Sequence, residues 1–225
     1  YTPQTTGVTH GKENIRNFKF SEAINEALRE EMQRDDKVFL LGEDIGLRGG
    51  VYNATKGLME EFGPERVRDT PISETAIIGA AIGAALTGMR PVAEIMFMDF
   101  LAVAMDQLVN HAAKIHYMTA GRLKLPMVIR TQTNIGRFMG GQHSQFFPAA
   151  LMQFPGLMIA VPSTPYDAKG LLKTAIRDDN PVLFIESGQL YGITGPVPKE
   201  EYTIPFGKID IKEKGDDVTV IALSN

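Results

Sequence analysis

Short apolar runs bounded by turn residues recur along the chain: "KVFLLG" at 37–42, "RPVAEIMF" at 90–97, "PMVIRT" at 126–131, "LMIAVPS" at 157–163 and "PVLFIES" at 181–187. Each predicts a short, largely buried strand. Between them, apolar positions repeat at helical spacing. Over 21–34, Ile24, Ala27, Leu28 and Met32 share one face. Over 164–177, Ala168, Leu171, Leu172, Ala175 and Ile176 form a stripe. That helix has Thr164 as its N-cap, Pro165 at its first position and Asp167 completing a capping-box-like pattern. Segment 100–119 predicts a longer helix, polar at Asp106, Gln107, Asn110 and Lys114. The stretch "DTPISETAIIGAAIGAALTGMR" at 69–90 holds no ionisable side chain between Glu74 and Arg90. It predicts a buried helix over about 74–88, with Ser73 as N-cap.

Alternating strands and helices predict an α/β fold: a doubly wound, mostly parallel sheet over 37–187 with helices on both faces. Ligands of such sheets bind outside the carboxyl ends of the strands. Those ends lie at 43–44, 73–74, 97–100, 131–143 and Ser187. From 188 the texture changes, and Pro196, Pro198 and Pro205 with several glycines predict an extended linker. "KIDIKEKGDDVTVIALSN" then reads as strand, turn, strand. The expected organisation is a flexible arm at 1–17, a main domain at 18–190, a linker at 191–207 and the start of a truncated further domain at 208–225.

Composition narrows the function classes. A net charge of −4 without any basic cluster argues against nucleic acid as a partner. The absence of cysteine excludes thiol nucleophiles, iron–sulfur clusters and cysteine-ligated zinc. The polar start "YTPQTTGVTHGKENIRN" has no apolar signal region. The uncharged run 75–89 is too short and too rich in Gly and Ala to span a membrane. No dinucleotide G-x-G-x-x-G after a strand, no P-loop and no G-x-S-x-G elbow occurs. His111 and His116 are five apart and do not converge on one helix face.

Three local features carry candidate chemistry. Glu74 stands in a first helical turn, where a carboxylate is favoured by the helix dipole for structural reasons alone. Its apolar neighbours Ile72, Ile77 and Ile78 also allow a desolvated acid that trades protons with a ligand. His143 lies in the Gly-rich loop "GGQHSQ", beside Gln142 and Ser144. "FMDF" offers Phe97 and Phe100 at another strand end, either as core or as a platform for a ring.

Taken in order, "LLGEDI", "DTPISE", "RPVAEIMFMDF", "AAKIHYM", "GGQHSQ", "PSTPYDAKGLLKTAIRDDNPV" and "YTIPFG" resemble one family over about residues 18–225. It is the beta subunit of the thiamine-diphosphate-dependent decarboxylase component of 2-oxo acid dehydrogenase complexes. The pyruvate, branched-chain and acetoin enzymes belong to it.

The resemblance implies a pyrimidine-binding domain followed by a linker and a transketolase-type domain. It implies that Glu74 hydrogen-bonds the aminopyrimidine ring, which favours the imino tautomer and lets the cofactor's own nitrogen take up the thiazolium proton. Phe100 would stack on that ring, with Ile72 and Gln142 beside it. His143 would serve acyl transfer to a lipoyl group. Met127, Ala175, Ile176, Asp178 and Asn180 would supply oxygens to a structural potassium ion.

The family's alpha subunit carries the G-D-G…N-N motif for magnesium and the diphosphate. "KGDDV" here is not that motif. The implied partners are therefore an alpha subunit, a second beta chain and a lipoyl-bearing acyltransferase core. The implied location is the cytoplasm, or the mitochondrial matrix in a eukaryote. Pyruvate is the favoured substrate, with branched-chain 2-oxo acids and acetoin open. A transketolase-like or deoxyxylulose-phosphate-synthase-like enzyme is the nearest competing reading, and a silent scaffold fragment competes from a different class.

Overall fold

The computed structural model describes residues 14–211 and 213–224. Its centre is a six-stranded sheet in which every pairing is parallel. The strands are β2 (Val38–Gly42), β3 (Val67–Asp69), β4 (Arg90–Ile95), β5 (Val128–Thr133), β6 (Met158–Ala160) and β7 (Val182–Ser187), in the order β3-β2-β4-β5-β7-β6. The five predicted runs each supply one strand, and the sixth, β3, is three residues long with one buried position. Helices cover both faces, so the doubly wound α/β expectation holds.

On one face α1 (Phe20–Arg34) and α6 (Pro165–Arg177) pack over Val38, Leu40, Val92, Val128, Val182 and Phe184. Both follow their predicted stripes. Thr164 caps α6 by accepting from the Asp167 N–H at 3.1 Å. Between the two helices the sequence stripe hides ions. Lys169 and Lys173 are fully buried; Lys169 reaches Glu26 and Glu30, each at 2.7 Å, and Lys173 reaches Glu30.

On the other face lies α3 (Glu74–Leu86), with Ile77, Ile78, Ala81, Ile82 and Ala85 against Leu41, Ala93, Ile95 and Ile129. Glycine inside a helix costs about 1 kcal/mol relative to alanine, so α3 depends on this packing. It stops where Gly88 takes φ +96°: Met89 N–H bonds Ala84 O at 3.0 Å and Gly88 N–H bonds Ala85 O at 3.1 Å, a Schellman ending. Short helices α2 (Leu58–Phe62), α4 (Ile115–Met118) and α5 (Pro148–Leu151) complete the layers.

Three expectations are corrected. Segment 100–119 is not one helix. A 3-10 turn at Met98–Ala102 and a π turn at Gln107–Ala112 precede α4. The wider π turn keeps Leu108 and Ala112 buried together against the α3 layer.

The stretch 191–207 is also not simply extended. Within it β8 (Thr194–Pro198) pairs antiparallel with β1 (Ile15–Lys19), which begins inside the expected arm. Two prolines argue against a strand in a sheet interior, but a two-stranded ribbon has outward-facing edges that tolerate them. Residues 1–13 of the arm lie outside the described residues. After β8, Tyr202 stacks on Tyr166 at 4.6 Å, and Thr174 Oγ1 donates to Ile204 O at 2.7 Å. This part of the expected linker is laid along α6.

Third, the described residues after 207 form no strand. Ile209, Ile211, Val218, Val220, Ile221 and Leu223 are exposed there, and a strand without a neighbour leaves its backbone groups unpaired.

One ion cluster crosses the middle of the sheet. Arg130 on β5 donates to Glu186 of β7 at 2.6 and 2.8 Å and to Glu94 of β4 at 2.6 Å. The two carboxylates hold the guanidinium firmly in its charged form, against the effect of burial. Burial in turn raises the Glu94 pKa, and the Glu186 and Glu43 charges add to this while Arg130 opposes it. A carboxyl whose pKa is higher in the fold contributes stability that is present below the unfolded value of about 4.3 and is lost as pH rises through the folded value. Glu94→Gln keeps an oxygen for Arg130. It should therefore gain stability relative to the native chain as pH rises from about 4 towards 8. Urea unfolding across that window checks this; a difference independent of pH would refute it.

Candidate active site

The strand order turns back between β2 and β4, since the chain moves outward from β2 to β3 and then returns to β4. The carboxyl ends of these strands form the crevice where such folds bind ligands. Glu43 follows β2. Burial, and then the neighbouring Glu74 and Asp44 charges, raise the Glu43 pKa. Glu74 opens α3 and is 8% exposed. Among the described residues no hydrogen bond or ion pair reaches its carboxyl. Ser73 occupies the N-cap position but does not cap; its hydroxyl donates to Pro71 O at 3.3 Å. The first turn of α3 is instead tied to the neighbouring element by Thr75 Oγ1, which donates to Val103 O at 2.8 Å.

That bond ties the first turn of α3 to Val103, the residue that ends the turn carrying Phe100. Phe97, Phe100 and His143 form a half-buried aromatic cluster. His143 is edge-on to Phe97 at 4.8 Å and 76°, and to Phe100 at 5.3 Å and 88°. The histidine arrives on the long loop after β5. Thr133 Oγ1 donates to Gln145 O at 2.9 Å, and Asp99 Oδ1 accepts from Gln145 N at 3.2 Å and Nε2 at 2.9 Å. Gln189 Nε2 holds Ile135 O at 2.8 Å. At the far side Arg137 donates to the Tyr52 hydroxyl at 2.6 Å, with its guanidinium 5.0 Å from that ring's centre.

The candidate residues therefore divide. Phe100 and His143 meet, with Phe97, in one ring cluster, and Glu74 lies at the start of α3, near enough to Glu43 for their charges to interact. Ile72, 81% exposed, and Gln142, also exposed, stand in solvent without joining that cluster. Asp99 is buried and was passed over in "FMDF". The only available signal for it was an acid between two aromatics at a strand end.

The five potassium candidates lie elsewhere, where Arg90 donates to Ile176 O at 3.0 Å and Asp178 O at 2.9 Å. Met127 O accepts from Val182 N at 3.0 Å, Ala175 O from Asp178 N at 3.3 Å, and Asp178 Oδ1 from Asn180 N and Nδ2, each at 2.8 Å. Among the described residues no three His, Asp or Glu side chains are grouped to hold a metal ion. No helix among them is long and apolar enough to cross a membrane.

Comparison with known proteins bears on the family and the fold. Residues 16–194 match the family "Transketolase, pyrimidine binding domain". The chain belongs to that family. The chain is 52% identical over 205 residues to the 2-oxoisovalerate dehydrogenase subunit beta of Bacillus subtilis (strain 168), covering 91% of this chain and 63% of that protein. It is 46% identical to the acetoin:2,6-dichlorophenolindophenol oxidoreductase subunit beta of the same organism, covering 92% and 64%. It is 47% identical to the pyruvate dehydrogenase E1 component subunit beta of Gracilaria tenuistipitata var. liui, covering 90% and 63%. The chain thus spans a little under two thirds of the length of these curated relatives.

Among solved structures it resembles a split-gene transketolase described as an inactive beta4 tetramer, with TM-score 0.64 and 24% identity, covering 84% of this chain and 57% of that one. The Leishmania mexicana transketolase gives TM-score 0.62 and 17% identity, covering 76% and 25%. Both likenesses bear on the fold.

The Arg137–Tyr52 contact makes a local prediction. A charged donor on a phenol at the surface contributes on the order of 1 kcal/mol, roughly a five-fold change in opening. Arg137→Ala should speed amide exchange of residues 135–144 by about that factor and leave the sheet amides unchanged. Hydrogen exchange by mass spectrometry reads both; unaltered loop exchange would show that the contact does not hold the loop.

Proposed function

We propose that this chain is the pyrimidine-binding part of the beta subunit of a thiamine-diphosphate-dependent 2-oxo acid dehydrogenase decarboxylase. The carrying observation is the buried carboxyl of Glu74, without a hydrogen-bond or ion-pair partner among the described residues, at the start of α3, together with the Phe97–Phe100–His143 cluster at neighbouring strand ends. Names borne by the relatives support the class and divide its substrates among 2-oxoisovalerate, acetoin and pyruvate.

The residues fit the aminopyrimidine end of the cofactor. Thiamine diphosphate, when bound, supplies the electron sink for decarboxylation. Glu74 would hold and exchange a proton at a pyrimidine nitrogen, in a site whose apolar walls are Ile77 and Ile78. Phe100 would lie against the ring. Ile72 and Gln142 would close on it from the rim. His143 would move a proton as the acyl group passes to a lipoyl thiol.

Among the described residues no group of His, Asp or Glu is placed to hold a metal ion, so a partner alpha subunit would hold magnesium and the diphosphate, with a second beta chain and a lipoyl-bearing acyltransferase core completing the assembly. The whole would work in the cytoplasm or the mitochondrial matrix. Each carbonyl oxygen has two lone pairs, so a potassium ion would share the Ile176 and Asp178 carbonyls with Arg90.

Two substitutions in the full-length beta chain, assembled with its alpha partner, test the reading. Glu74→Gln cannot exchange a proton and should slow loss of the thiazolium carbon proton by about a hundred-fold or more, followed by NMR in deuterated water. Native exchange rates in that variant would end the assignment. His143→Ala should lower acyl transfer to a lipoyl acceptor at least ten-fold more than decarboxylation read with an electron-accepting dye, within the range expected for a proton-transfer group. Equal losses would remove His143 from acyl transfer. The same assays with pyruvate, 2-oxoisovalerate and acetoin identify the substrate.

A further inference from the structure

Asp99 is a buried acid whose carboxyl is only half satisfied by its surroundings. It sits in the 3-10 turn Met98–Ala102, directly before Phe100, and is 6% exposed. Its Oδ1 takes both donors of Gln145, the backbone N–H at 3.2 Å and the side-chain amide at 2.9 Å. Its Oδ2 is buried without a hydrogen-bond partner among the described residues. Among the described residues no Lys, Arg or His forms an ion pair with it. Burying a carboxylate against neutral donors is unfavourable for folding, and an apolar side chain of similar shape would serve the core better. What an acid provides here, and an apolar residue does not, is one fixed oxygen that binds two donors of another segment.

That other segment carries His143. The backbone of Gln145 is gripped on both sides: its N–H by Asp99, and its carbonyl by the Thr133 hydroxyl at 2.9 Å. Gln145 is the point where the loop after β5 returns to the fold. His143 lies two residues before it, and residues 135–142 are mostly exposed. The same carboxyl is one residue from Phe100 and two from Phe97, the rings that His143 meets edge-on at 5.3 and 4.8 Å. A single oxygen therefore sets the separation between the turn bearing the aromatic pair and the loop bearing the imidazole.

We propose that Asp99 is a positioning residue that, through Gln145, holds the His143 imidazole against Phe97 and Phe100. Its consequence for turnover rests on the function proposed above for His143; its geometric content does not. Misplacing a reacting group by about 1 Å can cost on the order of a hundred-fold in rate, so a hydrogen-bonded clamp at the loop root has catalytic weight without touching substrate.

The test begins with the position of the ring. The imidazole proton and carbon resonances of His143, assigned by their disappearance in His143→Gln, are displaced by ring current from Phe97 and Phe100. Asp99→Ala should bring them to free-imidazole positions, while Asp99→Asn, which keeps an oxygen for both donors, should leave them near their native positions. Unmoved resonances in Asp99→Ala, or equal displacement in both variants, would overturn the proposal. If Asp99→Ala fails to fold, Gln145→Ala removes only the 2.9 Å side-chain bond; partial displacement supports the clamp and none overturns it.

In the assembled enzyme, Asp99→Ala should lower acyl transfer by roughly ten-fold or more and Asp99→Asn should restore most of it. A displaced ring with undiminished acyl transfer leaves the clamp standing and removes the role given to His143. Reduced acyl transfer with an undisplaced ring removes the clamp.

Discussion

One guanidinium organises the centre of this molecule. Arg130 projects from β5 between Glu94 on β4 and Glu186 on β7, so three adjacent strands are joined by charge as well as by their backbone ladders. Removing one member of such a set leaves a buried charge uncompensated, which is costly even though the intact set contributes little net stability. The cluster therefore constrains register more than it adds stability. It also reaches outward. Tyr191, held neutral by burial and the Glu186 charge, donates to Glu186 and stacks on Tyr52 at 4.7 Å. Tyr52 receives Arg137 from the loop that carries His143. A buried charge and a surface loop are thus joined through two tyrosines.

Much of the fold was legible because its strands are short apolar runs and its two largest amphipathic helices have regular stripes. What escaped was set by contacts between distant residues. Arg130, Glu94 and Glu186 are single charges inside runs read as strands, and only the neighbouring strands reveal that they meet. Lys169 and Lys173 sit beside an apolar stripe and would ordinarily mark a wet face; the acids of α1 make their burial tolerable. The β1–β8 ribbon was hidden by Pro196 and Pro198, since local chemistry cannot tell an edge from an interior. The break in 100–119 likewise follows from packing against α3 rather than from any breaker residue.

Candidate chemistry-bearing residues stand out in the sequence, and the bonds that support them do not. Glu74, Phe100 and His143 each carry a weak signal alone, and it is the resemblance of the ordered motifs to one family that links them. Ile72 looked like a wall of the acid's pocket, yet alternation in a short loop does not fix direction, and it faces solvent. Gln142 was noticed for its place beside His143, whereas Gln145, three residues on, makes the bonds. Supports of this kind are hydrogen bonds between segments far apart in sequence, and nothing local announces them.

The segment 200–206 has a consequence for how the chain is articulated. Composition describes it as a spacer, and a free spacer lets whatever it joins sample a wide volume. Here Glu201 reaches Arg177, Tyr202 lies on Tyr166, and Ile204 is held through both its N–H, on Gly170 O at 3.2 Å, and its carbonyl. The conformational freedom of these residues is given up when the domain folds, and is not lost again when something binds nearby. The stretch of chain leaving β8 along α6 consequently behaves as a fixed bracket, and a push on it is felt by α6 and, through Lys173 and Glu30, by α1.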